Sequence, residues 1–186
     1  MKLAGSAPTW VRLSTKWGGA QRHGSRGIAS ASFTQRMRAE RRGSVEKPLS
    51  DPFHLLEYCY RLGASGVEIS AESLDPDSIR RFRGRVESAG MYVEVAVRLP
   101  HDQSDVSEFR DSLRAAKGVG ASVVRTTLLE RPRYLALDSA EELEHFTQQA
   151  WKSVTLAENA LRRRRMKLAI ETHRGVRIEE LLSIMQ

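Results

Sequence analysis

The chain has 186 residues, of which 40% are hydrophobic, with one cysteine and a formal net charge of +7. That length holds one domain with a real core, no run approaches the roughly 18 apolar residues of a membrane span, and a lone cysteine excludes an intramolecular disulfide, which favours a reducing, cytoplasmic compartment. Nine of the 30 basic residues but only one of the 23 acidic ones lie within residues 1–43. The rest of the chain is close to neutral, and this disfavours nucleic acid, whose phosphates need a basic patch on the folded surface.

Residues 1–26 are rich in Gly, Ser and Arg and contain no acid. Three readings fit such an extension: a disordered basic tail or over-extended start, an organellar targeting peptide, and a phosphate-binding arm. It stays outside the predicted fold. From residue 27 the chain alternates between two periods. GIASASFT (27–34) reads as a strand and the polar, basic stretch 35–50 as a long loop. A helix follows, with Ser50 or Asp51 as N-cap, Pro52 in its first turn and Gly63 at its end. Cys59 lies in its apolar pattern and reads as a small buried hydrophobe. GVEIS (66–70) is a short strand, and Asp75–Pro76 opens a second helix that Gly90 closes. MYVEVAVRLP (91–100) is a β-branched strand stopped by Pro100. Residues 104–119 space Phe109, Leu113, Ala116 and Val119 for a helix face. ASVVRTTLL (121–129) is a fourth strand and 138–165 a long helix, whose closing run of four arginines complements the negative helix end. KLAIET (167–172) is a fifth strand and VRIEELLSIM (176–185) a last helix.

Strand–helix units without hairpin signals mean parallel βαβ crossovers. Periodicity alone allows an open doubly wound sheet or part of a (β/α)8 barrel. The first would place a Gly-rich phosphate turn after its first strand, and residues 35–44, QRMRAERRGS, contain none. In a barrel, chemistry sits where strands end. Glu68 ends the second strand, Arg98 the third, Arg125 lies late in the fourth, and Glu171 and His173 end the fifth. Each also has a plainer role as a solvated or salt-bridged strand end. Arg125, flanked by Val123, Val124 and Leu128, needs a partner wherever it points inward.

The succession LEYCYRLGASGVEI, SAGMYVEVAVRLP, GASVVRTTLL with RPRY, and AWKSVTLAENALRRRRMKLAIETHRG resembles the xylose isomerase-like TIM-barrel superfamily. More closely, it is similar to bacterial proteins described as sugar phosphate isomerases/epimerases, over residues 27–186. The resemblance implies a parallel (β/α)8 TIM-barrel type fold of which about five β/α units are present. It implies a small-molecule sugar or sugar phosphate as partner and a divalent metal (Mn, Mg, Co or Zn) held at the C-terminal strand ends. The family's carboxylate–x–histidine after strand five, usually E-N-H, stands here as Glu171–Thr172–His173. Glu171 thereby takes the roles of metal ligand and catalytic carboxylate, in a reaction that moves a proton next to a ketose carbonyl. Arg98 and Arg125 suit a substrate phosphate or hydroxyls, with Glu68 and His173 beside them.

The family's other ligands come from strands six to eight, which this pattern does not contain. The chain is therefore expected to be a truncated barrel, inactive alone unless it self-associates or a C-terminal half-barrel complements it. Two further readings stay open, an apurinic endonuclease-like metal hydrolase and a non-enzymatic half-barrel acting by association. The near-neutral body, and the absence of histidine from the first four strands, count against the hydrolase.

Overall fold

Five short strands, each followed by a helix, pair only in parallel and lie side by side in the order in which they are made. The structure is a computed structural model and describes residues 26–43, 48–129, 132–172 and 176–185. Its strands are β1 (Gly27–Ala29), β2 (Gly66–Ile69), β3 (Tyr92–Ala96), β4 (Val123–Thr126) and β5 (Lys167–Ile170). Its helices are α1 (Thr34–Glu40), α2 (Pro52–Arg61), α3 (Pro76–Ser88), α4 (Val106–Gly118), α5 (Ala140–Arg164) and α6 (Ile178–Met185). The unbroken strand order decides between the two architectures. A doubly wound sheet reverses direction at a switch point, whereas a barrel adds each strand to the same growing edge.

Capping chemistry sets the helix starts where the sequence placed them. Asp51 accepts from the backbone N–H groups of Phe53 and His54 at 2.8 and 3.1 Å, with Pro52 in the first turn of α2. Asp75 does the same for Ser78 N–H at 2.8 Å at the start of α3, and Ser139 Oγ caps α5. Gly63 and Gly90, past the ends of α2 and α3, have φ of 77° and 61°, a left-handed backbone that glycine adopts without strain. The four arginines close α5 as predicted, the last of them, Arg165, in the left-handed region at φ 53°.

One expectation changes. Residues 35–43 are not a loop: the first strand stops at Ala29, a 3-10 turn covers Ser30–Phe33, and α1 follows. Tertiary contacts stabilise this helix more than its composition does. Phe33 packs edge-on against Tyr58 with ring centroids 5.5 Å apart, Arg36 lies over the same ring, and Phe33 and Met37 rest on the core. Arg36 Nε donates to Glu40 at 2.9 Å, and the other Glu40 oxygen accepts from Leu49 N–H at 2.8 Å. Apart from the Arg36–Glu40 pair within the helix, these partners come from later in the chain. Residues 44–47 of the expected loop, and residues 1–25 of the basic extension 1–26, lie outside the described residues.

Strand side chains alternate between two faces. Val67, Ile69, Val93, Val95 and Val124 are buried beneath Leu55, Leu56, Cys59, Phe82 and Leu113 of the helices. The other face carries Glu68, Tyr92, Glu94, Ala96, Arg125 and Ala169, placed in rows by the register Glu68↔Glu94, Ala96↔Arg125 and Arg125↔Ala169. Tyr92 lies across the sheet on this face. A Cβ on Gly66 would meet its ring carbons, and one on Gly27 its phenolic oxygen, both closer than 3.0 Å. The two glycines are the seat of the ring. At the far end, α6 buries Ile184 and is tied back by Glu180, which accepts from Arg133 Nη1 at 2.7 and 2.8 Å. That hydrogen bond holds the Glu180 carboxyl below the usual carboxylate range. Leu182 is exposed. Among the described residues no helix is long and apolar enough to cross a membrane.

Gly66→Ala is expected to cost about 1–3 kcal/mol through overpacking, and the Gly66→Ala/Tyr92→Ala pair less than the sum of the single changes. Urea denaturation of the four proteins checks this, and additive costs would refute the ring seat. Burial pushes the Cys59 thiol up to about 11, so at pH 8 the folded protein is expected to leave an aromatic disulfide reagent unreacted. Unfolding in urea should expose one fast-reacting thiol near its ordinary pKa of about 8.5.

Candidate functional site

The strand ends place three charged side chains in contact. Arg125 projects from the third position of β4 onto the open face of the sheet. Its neighbours in register, Ala96 on β3 and Ala169 on β5, carry only methyl groups. The guanidinium can therefore lie across both strands. β2 and β4 are separated by β3, roughly 10 Å apart at ordinary strand spacing, and only a long side chain meeting another long one spans that gap. Arg125 does so: its Nε and Nη2 donate to the two oxygens of Glu68, at 2.6 and 3.0 Å. On the other side Nη1 donates to Glu171 Oε2 at 2.6 Å. Glu171 directly follows β5 and continues its ladder, since its N–H donates to Thr126 O at 2.9 Å.

Burial makes this pairing obligatory. The side chains of Glu68, Arg125 and Glu171 expose 2%, 13% and 24% of their surface. A carboxylate as enclosed as Glu68 is tolerated only with its lone pairs satisfied, and the two-point guanidinium contact does that. Desolvation alone would lower the Arg125 pKa. The hydrogen bonds and charges of Glu68 and then Glu171 outweigh it and hold the group above its ordinary value. Lysine, with one ammonium, could not serve both carboxylates in this geometry.

Of the predicted site residues, the fold brings Glu68, Arg125 and Glu171 together and leaves Arg98 apart. Arg98 lies two residues beyond β3, exposed, and the described residues form no ion pair with it. It is nevertheless at the same end of the sheet, because Val97 N–H donates to Arg125 O at 2.8 Å and carries the ladder up to it. His173 lies outside the described residues. The sequence marked Arg125 as a cation in need of a partner but could not say which. The two alanines that clear its path, and Tyr92 on its glycine seat, carried no signal that composition or spacing could reveal. A separate groove lies against the starts of α2 and α3 and is lined by Asp51, Phe53, Ser78 and Arg81.

A divalent metal was implied at Glu171, and the donors among the described residues do not fit one by themselves. Among the described residues no three His, Cys, Asp or Glu side chains are grouped to hold an ion. The two carboxylates that do converge, Glu68 and Glu171, are joined through a cation already.

The triad's asymmetry gives a stability order. Arg125→Met, which strands the enclosed Glu68 charge, is expected to cost about 3–5 kcal/mol. Glu171→Gln removes one bond from a partly exposed group and should cost about 1 kcal/mol or less. Urea midpoints of the two variants check the order, and equal costs would show that the Glu68 contact is not the dominant one.

No family model and no curated protein matches the chain. Among solved structures it is similar to a D-psicose 3-epimerase from Clostridium cellulolyticum H10 with D-tagatose, with a TM-score of 0.55 and 11% identity over 86% of this chain. A D-psicose 3-epimerase in the presence of D-fructose aligns with a TM-score of 0.53 and 12% identity over the same share. The chain spans about 60% of the length of both structures. At such identities the likeness shows the fold alone, and it agrees with the consecutive parallel strand order: the chain has the parallel (β/α)-barrel fold of these structures, over part of the barrel.

Proposed function

We propose that this chain carries sugar isomerase/epimerase-type machinery at its strand ends, with Glu171 as the carboxylate that faces a ketose or ketose phosphate. The observation that carries this reading is the one-sided engagement of Glu171. Arg125 holds Oε2 at 2.6 Å at the C-terminal end of β5, while the side chain remains 24% exposed on the open face. A carboxylate fixed by one oxygen and open at the other is arranged to accept a proton. The fold's similarity to D-psicose 3-epimerases supports the choice of a ketose over other small molecules.

In this reading each residue has a distinct task. Glu171 takes the proton from the carbon beside the ketose carbonyl. Arg125 acts as a positioning residue, since its donors face Glu68 and Glu171. Glu68 orients Arg125 and stays away from solvent. Arg98, exposed at the same end, is the cation available to a substrate phosphate or to the negative charge that develops on the carbonyl oxygen. The dependence on a divalent metal that the family resemblance implies would need donors beyond those described, so no step is assigned to one. The chain corresponds to about 60% of the neighbouring structures, so complete turnover belongs to the proposal, and binding is what these strand ends can be asked for by themselves.

Saturation-transfer NMR with D-psicose, D-fructose, D-tagatose and a ketose phosphate tests the reading. Binding of at least one ketose is expected, with affinity falling about tenfold or more in Arg98→Ala and Glu171→Ala, a loss typical of removing a charged contact. Absence of binding by all four sugars, or binding indifferent to both substitutions in folded protein, would remove it.

A further inference from the structure

Arg125 stands where a bound cation would have to go. Both oxygens of Glu68 and one of Glu171 point at its guanidinium at 2.6, 3.0 and 2.6 Å. We infer that Arg125 is a built-in cation: it occupies the position between the strand-end carboxylates of β2 and β5 that a divalent ion would need, and this carboxylate pair becomes an ion site only when the guanidinium is removed.

Four observations lead there. The space is shaped for a side chain, because the register partners of Arg125 on both sides are alanines, Ala96 and Ala169. The charges are already matched, since Glu68 has no free oxygen left and would have to give up two charge-assisted bonds to ligate an ion. An incoming dication would also meet a positive charge that no accessible pH removes, as arginine stays protonated in proteins and this one is held above its ordinary pKa. Finally, the described residues group no third donor with the pair, so none of them would offset the loss. The inference is independent of the ketose reading. Its readout is ion uptake, so sugar binding can fail while it stands, and the reverse.

Mn2+ alone is the probe, titrated into the full chain and followed by the electron paramagnetic resonance signal of the free aqua ion. Wild type and Glu171→Gln are expected to take up the same amount of Mn2+. Arg125→Met should bind at least about tenfold tighter than wild type, the size of effect that ligand-environment changes produce, and Arg125→Met/Glu171→Gln should lose that gain. Wild-type uptake that falls on Glu171→Gln overturns the inference, as does a folded Arg125→Met that binds no tighter than wild type. Should Arg125→Met fail to fold by circular dichroism, the comparison of wild type with Glu171→Gln still decides whether the pair takes up an ion with Arg125 in place, because Glu171 is partly exposed and its replacement leaves the Glu68–Arg125 contact intact.

Discussion

An arginine on the inner face of a parallel sheet must find carboxylates or be excluded from the structure, because the cost of taking a guanidinium out of water exceeds what any neutral neighbour returns. Arg125 meets that condition by reaching across two strands at once. Its contacts with Glu68 and Glu171 join β2, β4 and β5 through side chains, in addition to the backbone ladder. The contact fixes the lateral position of the strands, since the two-point geometry tolerates little slip. It also fixes the rotamer of Glu171 at the end of β5. Removing the arginine would disturb the stability of the sheet and the orientation of the carboxylate together.

The position of that triad follows from how the sheet is built. Strands added in chain order, each crossover carrying a helix, put most of the branched aliphatic residues against one layer of helices and leave the other face mainly for polar groups. On that second face size matters as much as polarity. Gly27 and Gly66 accept a tyrosine ring near the N-terminal ends, and Ala96 and Ala169 leave room for a guanidinium near the C-terminal ends. The smallest residues of the strands are thus what lets the largest ones lie flat. A methyl group added at Gly66 would act on Tyr92, and larger residues at Ala96 or Ala169 would act on Arg125.

A triad of this kind bears on the chemistry that the fold brings to mind. Two carboxylates satisfied by one cation are a poor start for a metal site and a good one for a rigid acid–base group. In the proposed reading, the arginine that positions Glu171 also makes it a weaker ligand. Both consequences have the same origin, a charge-assisted hydrogen bond made in an enclosed site where it is difficult to exchange.

Much of the architecture was legible because it rests on local chemistry. Asp51–Pro52, Asp75–Pro76, Gly63 and Gly90 mark helix ends through hydrogen bonds and dihedral angles that involve only a few neighbouring residues. The runs of valine and isoleucine mark strands, and the alternation of strand and helix marks a parallel sheet. The helix at Thr34–Glu40 was not legible, because Tyr58 and Leu49, which hold it, come from later in the chain. The same distinction divides the site. By itself the sequence determined which charged residues end strands, among them Glu68, Arg98, Arg125 and Glu171, since that depends on where each apolar run stops. Which of them meet was decided only by the tertiary structure. Arg125 lies 57 residues from Glu68 and 46 from Glu171 along the chain, and the contact depends on strand order, on register and on two alanines that make no contact legible in sequence. Pairing across a sheet is a property of three strands together, and no single one of them encodes it.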